Sequence, residues 1–294
     1  MQRPVSDRRL GIILGSLLLT AALGCATVER KGVNLATPIL QDAVDNLLTY
    51  QSVNVAEEGL PGNVLLISAL CEFSPNNHKL LALASMAYGA YGLLIEEENP
   101  EYATEIYTIG ADYGLRSIKS SNKKVKTALE KGGFVFDQAA SLKKKDVPGA
   151  FWFAMDLGLK IMLNMSDPVA LTKLSDVNTV MEKIYELDDS YFFYAPHLYK
   201  GAYNALAGPM LSGGLPVAKK EFDIIFEKTD NKFLLAHAFF ARFYATAAMD
   251  EALFDKTVDY ILKTPDDAMH EARLANGIAK KKARWYKAHR EDFF

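Results

Sequence analysis

Apolar residues recur every three or four positions along most of the chain, which is the spacing of amphipathic helices. Leu40, Val44 and Leu47 fall on one such face, and Leu174 and Val177 begin another. Alternation with period two, which is typical of half-buried strands, never extends beyond a few residues. The pattern predicts an all-α fold of about a dozen helices.

Short polar signals divide these helices. Thr37-Pro38 and Asn99-Pro100 each pair a capping residue with a proline suited to the first helical turn. We expect helices to begin at both places. The segment 59–62, Gly-Leu-Pro-Gly, is expected to break the chain before a short helix that ends near Phe73.

One stretch has the layout of a helical repeat. After the turn 74–77, a large apolar residue at Leu81 is followed by a small one at Ala84 and an aromatic one at Tyr88. This order is typical of tetratricopeptide (TPR) hairpins, and a second turn of this kind begins near Asp188. Because the copies are irregular in length, the sequence predicts an irregular TPR-like solenoid of helical hairpins.

The N-terminus is typical of an export signal. Basic residues precede the apolar run 10–23, which ends at Gly24-Cys25 and resembles the bacterial lipoprotein box, where the cysteine is acylated and becomes the new N-terminus. An ordinary signal peptide with an incidental cysteine is the alternative. We expect a signal peptide at 1–24, a tether at 25–36 and a TPR-like helical domain at 37–294. Acylated Cys25 would anchor it in a lipid membrane, on the periplasmic face of a bacterial membrane, with the outer membrane favoured.

Composition narrows the possible functions. The chain has 50% hydrophobic and 23% charged residues, as globular proteins do, and its net charge of −3 provides no basic footprint for nucleic acid. Once Cys25 is modified, only Cys71 is left, so no disulfide can form within the mature chain.

Catalytic and metal-binding motifs are absent from the sequence. His270-Glu271 lacks a second histidine one turn later, since Leu274 stands there, and no nucleophile elbow or phosphate-binding glycine loop occurs. We read the acidic run 96–98 as a solvated helix end. A basic C-terminal run is read as a solvated face or, less simply, as a docking surface for an acidic partner. It comprises Lys280, Lys281, Lys282, Arg284, Lys287 and Arg290. No enzyme, metal or cofactor is predicted.

Aromatic residues crowd two segments, 191–203 and 239–244. Tyrosines lining an interior cavity would suit an amphipathic small ligand, and a few polar helix residues would orient it. Core filling and polar braces between helices are the simpler alternative. The candidates for ligand binding are Tyr199, Tyr203, Asn204, Arg242, Tyr244 and Asn276.

Several motifs together resemble those of one family. They are the turn 74–77 with its helix to Tyr88, Gly213-Gly214, the segment 233–236 running to Ala241-Arg242-x-Tyr244, Asp250 with Phe254, and the segment 274–279 followed by Arg284-Trp285. On these residues the chain resembles the TatT family, TPR-type lipoproteins associated with TRAP transporters. The resemblance covers essentially the whole mature chain.

The resemblance implies a lipid-anchored periplasmic homotrimer with a pore or cavity in each protomer. It also implies a docking surface for the TRAP solute-binding protein, to which a small, hydrophobic ligand would pass unchanged. The competing hypothesis is a TPR scaffold lipoprotein for envelope protein assembly, with no small-molecule role. A conduit needs an aromatic-lined cavity inside the protomer, whereas a scaffold needs only an exposed groove.

Overall fold

The computed structural model describes residues 31–164, 168–211 and 213–294, with side chains of 165–172 and 209–212 left aside. Within these ranges every regular element is helical, so the all-α prediction is confirmed. The expected signal peptide, the acylation site Cys25 and residues 26–30 of the expected tether lie outside the described residues.

The helices follow one another with short connections. In chain order they are α1 (31–48), α2 (Val53–Phe73), α3 (His78–Ile95), α4 (Pro100–Ser121), α5 (Lys123–Glu130), α6 (Val147–Met162), α7 (Pro168–Leu187), α8 (Tyr191–Leu211), α9 (Gly214–Lys228), α10 (Leu234–Phe239), α11 (Glu251–Lys263) and α12 (Arg273–Ala288). The last turn of α10 continues directly into a π-helical segment, Phe240–Ala245.

Several helices begin where the sequence predicts, because a side chain caps the free amide groups of the first turn. The Asn77 side chain accepts from Leu80 N at the start of α3, and Asn99 accepts from Tyr102 N at the start of α4. Each such cap is worth about 1 kcal/mol. These two predicted helix starts are confirmed.

The predicted helix start at Thr37-Pro38 is wrong, since α1 is already helical at residue 31. The Thr37 hydroxyl donates to Val33 O at 3.0 Å, one turn earlier, rather than capping a new helix. The Asn34 side chain accepts from the Ser74 hydroxyl at 2.7 Å, which ties the first turns of α1 to the turn before α3. Residues 31–36 are therefore helical and form the first turns of α1.

The predicted break at 59–62 is also wrong, because α2 runs through Pro61 from Val53 to Phe73. A proline inside a helix costs about 3 kcal/mol. One buried stripe nevertheless crosses it without interruption, formed by Ala56, Leu60, Val64, Ile67 and Cys71. Burial of that stripe outweighs the local cost.

Chain neighbours form the main packing pairs, as expected for helical hairpins, with α3 against α4 and α8 against α9. The helix α6 packs against both α3 and α4. Close approach requires a glycine at Gly114, where a Cβ would lie 2.7 Å from the Cα of Phe153. None of the described helices has both the length and the apolar character that a bilayer span requires.

Candidate functional site

A cavity of about 740 Å³ lies between α1, α3 and α6 and extends to the start of α8. Its polar lining residues belong mostly to α1 and to the N-terminal end of α3: Asn34, Thr37, Gln41, Asp42, Asn77 and Lys79. Its apolar lining includes Ala82, Leu83, Met86, Pro148, Trp152 and Tyr191. Four of these six polar residues are exposed, whereas each of the six apolar residues is buried or half-buried, so the cavity has a polar mouth and an apolar floor.

The helix α1 forms one wall of this cavity and is held by side-chain hydrogen bonds. The Asn77 amide nitrogen donates to Asn34 Oδ1 and to Thr37 Oγ1, each at 2.8 Å. Because Asn77 also caps α3, one residue sets both the start of α3 and the position of α1. The cavity mouth therefore depends on the turn 74–77 that the sequence identified as a hairpin boundary.

The floor is anchored by Trp152, whose ring lies edge to face with Phe192, with centroids 5.0 Å apart. Phe192, Phe193 and Tyr194 have φ angles of 45°, 58° and 63°, so the first turn of α8 is left-handed. Left-handed helical backbone costs roughly 1–2 kcal/mol per residue for side chains with a Cβ. A strained turn thus holds an aromatic ring against the cavity floor, an arrangement that is concentrated at functional sites.

A buried polar pair follows this turn. His197 Nδ1 lies 2.7 Å from Glu221 Oε2 on α9, and His197 Nε2 lies 3.7 Å from Asp189 on the other side of the turn. Both His197 and Glu221 are buried. The pair connects α8 to α9 and fixes the helix directly after the left-handed turn.

Behind the cavity floor lies a buried carboxyl group, that of Asp156 on α6. It has no exposed surface, and its Oδ1 has no hydrogen-bond partner among the described residues. The Ser85 hydroxyl lies 3.2 Å from Asp156 Oδ2 and 2.8 Å from Gly110 O. Burial raises the pKa of Asp156 well above its usual value.

A third buried polar group lies at the C-terminal end of α3. Glu96 and Glu97 contact Arg242 at 3.1 and 2.8 Å, and Lys282 bonds to both carboxylates, at 3.0 Å in the case of Glu97. The Tyr107 hydroxyl donates to Glu96 Oε2 at 2.6 Å. We call Glu96, Glu97, Arg242 and Lys282 the ion cluster. It joins α3 to α12 and to the π-helical segment.

Two readings of the sequence are corrected by this cluster. The run 96–98 is not a solvated helix end, since Glu96 is 4% exposed and only Glu98 is mostly accessible. The basic C-terminal run is not wholly a solvated face, since Lys282 is 2% exposed. In both cases the charged side chains turn inward because each finds an opposite charge from a distant part of the chain.

The charges of the ion cluster stabilise one another. Burial alone would raise the pKa of Glu97, but the positive charges of Lys282 and Arg242 outweigh burial and lower it. Burial would likewise lower the pKa of Arg242, but the Glu96 and Glu97 carboxylates and Tyr286 together outweigh burial and raise that pKa. Paired in this way, the cluster keeps its charges inside the protein.

The six residues proposed from the sequence as ligand contacts fall into two groups, neither of which lines the 740 Å³ cavity. Tyr199, Tyr203 and Asn204 lie on α8, where the two tyrosine rings stack 6.1 Å apart. Their contact with a ligand stays a prediction.

The other three lie near the C-terminal helices. Arg242 belongs to the ion cluster, and Tyr244 stacks on Phe240 with centroids 4.7 Å apart. The buried Asn276 accepts from Leu234 N at 2.8 Å and donates to Lys232 O at 2.9 Å. Asn276 thus braces α12 against the start of α10, the alternative that the sequence left open.

Sequence reasoning missed Trp152, which lines the cavity, and Asp156, which lies behind its floor. Asp156 is the only acidic residue of α6, within an otherwise almost entirely apolar helix, and that was the available signal. Trp152 lies one turn earlier on the same helix and carries no comparable signal.

Comparison with known families agrees with the resemblance seen in the sequence. No curated protein matches the chain. A family model described as TRAP transporter T-component matches residues 51–294, which include every helix from α2 onward. The chain therefore belongs to the TRAP transporter T-component (TatT) family.

Proposed function

We propose that this protein holds a small amphipathic ligand in the 740 Å³ cavity and presents it to the solute-binding protein of a TRAP transporter. Membership of the T-component family establishes a TRAP-associated accessory role. The observation that carries the finer proposal is the cavity itself, whose volume lies in the range of small-molecule sites. Its polar mouth and aromatic floor suit a ligand with an apolar body and a polar end.

Anchoring and assembly complete the proposal. Acylation of Cys25 would hold the protein on the periplasmic face of a membrane, with the outer membrane favoured. Only five residues separate Cys25 from the described start of α1, so the cavity mouth would stay near that membrane. A homotrimer, as the resemblance implies, would place several such cavities together.

The competing scaffold function is favoured by one surface. A stripe of exposed apolar or small residues follows α2 at helical spacing: Val55, Gly59, Gly62, Leu66, Ala69 and Phe73. Leu66 is 60% exposed and Phe73 is 51% exposed. Such a face suits a partner protein, and it requires no cavity.

A pair of variants separates the two functions. In an unlipidated Cys25→Ser background, Met86→Trp fills the cavity, whereas Leu66→Asp places a charge on the α2 stripe. Native mass spectrometry measures ligand retained from periplasmic extract, and capture identifies any TRAP solute-binding protein.

If the proposal holds, Met86→Trp loses the retained ligand while Leu66→Asp keeps it. The protein with an unfilled cavity also captures the solute-binding protein. If no ligand is retained and only Leu66→Asp changes partner capture, the scaffold function replaces the proposal.

A further inference from the structure

The Asp156 carboxyl group has an acceptor that the fold does not use. Its Oδ1 is buried without a hydrogen-bond partner among the described atoms. Leaving a buried polar atom unpaired is unfavourable, and such an atom in a native structure calls for an explanation.

Hydrogen counting indicates that this carboxyl group is neutral. The Ser85 hydroxyl has one hydrogen but lies near two acceptors, Gly110 O at 2.8 Å and Asp156 Oδ2 at 3.2 Å. The shorter contact takes that hydrogen. The contact to Ser85 is then a hydrogen bond only if Asp156 carries a proton on Oδ2 and donates it. Oδ1 is left as a free acceptor.

Two glycines make the space for this group. A Cβ on Gly89 would lie 2.4 Å from Asp156 Oδ1, and a Cβ on Gly110 would lie 2.4 Å from Oδ2. Both distances are shorter than real Cβ contacts, so a side chain at either position would displace the carboxyl group. The helices α3 and α4 are therefore shaped around a carboxyl group where an apolar residue would be cheaper to bury.

The carboxyl group lies one helical turn beyond the cavity on both walls. On α6, Trp152 lines the cavity and Asp156 follows four residues later. On α3, Met86 lines the cavity and Gly89 follows three residues later. A Cβ on Gly89 would lie near both Asp156 Oδ1 and the Trp152 ring, at 2.4 and 3.2 Å. The Trp152 indole thus lines the cavity and packs against Gly89, next to the free oxygen.

We propose that Asp156 and Ser85 form the polar inner end of the cavity, reached when the Trp152 ring turns aside, where Asp156 Oδ1 accepts a hydrogen bond from a ligand hydroxyl. The apolar body of that ligand occupies the space beside Met86. Phe192, held in the left-handed turn, contacts Trp152 and sets its resting position. This inference rests on the ligand-holding function proposed above.

Two isomeric probes test the inference, 1-decanol and 1-methoxynonane. They have the same atoms, but only the alcohol can donate a hydrogen bond. Isothermal titration calorimetry of the Cys25→Ser protein should give roughly tenfold tighter binding of the alcohol, because only the alcohol satisfies the free oxygen.

Asp156→Asn is the matched control, since its side chain keeps an acceptor and can donate to Ser85 in place of the proton. It should retain the preference for the alcohol. Asp156→Leu lacks an acceptor and should bind both probes equally. If Asp156→Leu does not fold, the ratio in the unsubstituted protein and in Asp156→Asn still decides the question.

Each remaining outcome has one meaning. Equal binding of the two probes to the unsubstituted protein overturns this inference and leaves the cavity function standing. Binding of neither probe overturns both. A lowered melting temperature in Asp156→Leu with an unchanged probe ratio shows that Asp156 only braces the core.

Movement of the Trp152 ring is tested by fluorescence. Trp285→Phe leaves Trp152 as the sole tryptophan, so the addition of 1-decanol should shift the Trp152 emission if the ring moves.

Discussion

Two buried polar groups lie along α3, and they differ in how completely their charges are paired. In the ion cluster two carboxylates meet two cations, and Tyr107 supplies a further donor to Glu96. Asp156 meets no cation in the described residues and has one free oxygen. A paired cluster contributes to folding, whereas an unpaired carboxyl group beside a cavity is better explained by binding.

Removing a cation from the ion cluster should have the largest effect. Lys282→Met leaves Glu96 and Glu97 with only Arg242, so a buried negative charge loses its partner. We expect a loss of roughly 3–5 kcal/mol in the free energy of unfolding, measured by urea denaturation. A loss below about 1 kcal/mol would show that the cluster is not structural, and would remove the contrast with Asp156.

The pH dependence of stability should differ in sign between the two groups. The raised pKa of Asp156 means that its contribution is full below pH of about 4 and declines as pH rises, by up to about 1.4 kcal/mol per unit. The lowered pKa of Glu97 means the reverse, with a contribution that is full above pH of about 4.3 and declines as pH falls.

Comparing each group with its amide variant isolates these slopes. The stability of the unsubstituted protein relative to Asp156→Asn should fall between pH 4 and pH 7. The stability of the unsubstituted protein relative to Glu97→Gln should instead decrease as the pH is lowered from about 4.3. Denaturation series at several pH values supply both curves. Parallel curves for the two variants would contradict the assignment of a neutral Asp156.

How much of this could be predicted from the sequence depends on the distance between interacting residues. The caps at Asn77 and Asn99 act within three residues, so the starts of α3 and α4 were predictable. The ion cluster joins Glu96 to Lys282 across 186 positions, and the spacing of residues along the sequence does not predict a contact at that distance. Local signals for solvated charge were therefore misleading there.

The cavity was less predictable than the fold for the same reason. Its walls come from α1, α3 and α6, and its floor is set by a left-handed turn of three aromatic residues. Left-handed backbone is usually signalled by glycine, and this turn contains none. The aromatic segment 191–203 does contain the lining residue Tyr191, but the candidates chosen from it lie further along α8, at Tyr199, Tyr203 and Asn204. A lone acidic residue in an apolar helix, as at Asp156, was the informative exception.

The smallest expected effect comes from a lysine on the same helix as Lys282. Lys287 bonds to Asp259 at 2.9 Å, but its side chain is 62% exposed. Solvent already satisfies both charges, so Lys287→Met should change the free energy of unfolding far less than Lys282→Met does. Lys287→Met removes the same charge from α12 as Lys282→Met, but it leaves no buried carboxylate without its cation. The two variants are measured under the same conditions. If the two variants lost equal stability, the effect of Lys282 would reflect net charge rather than burial, and pairing would no longer distinguish the ion cluster from Asp156.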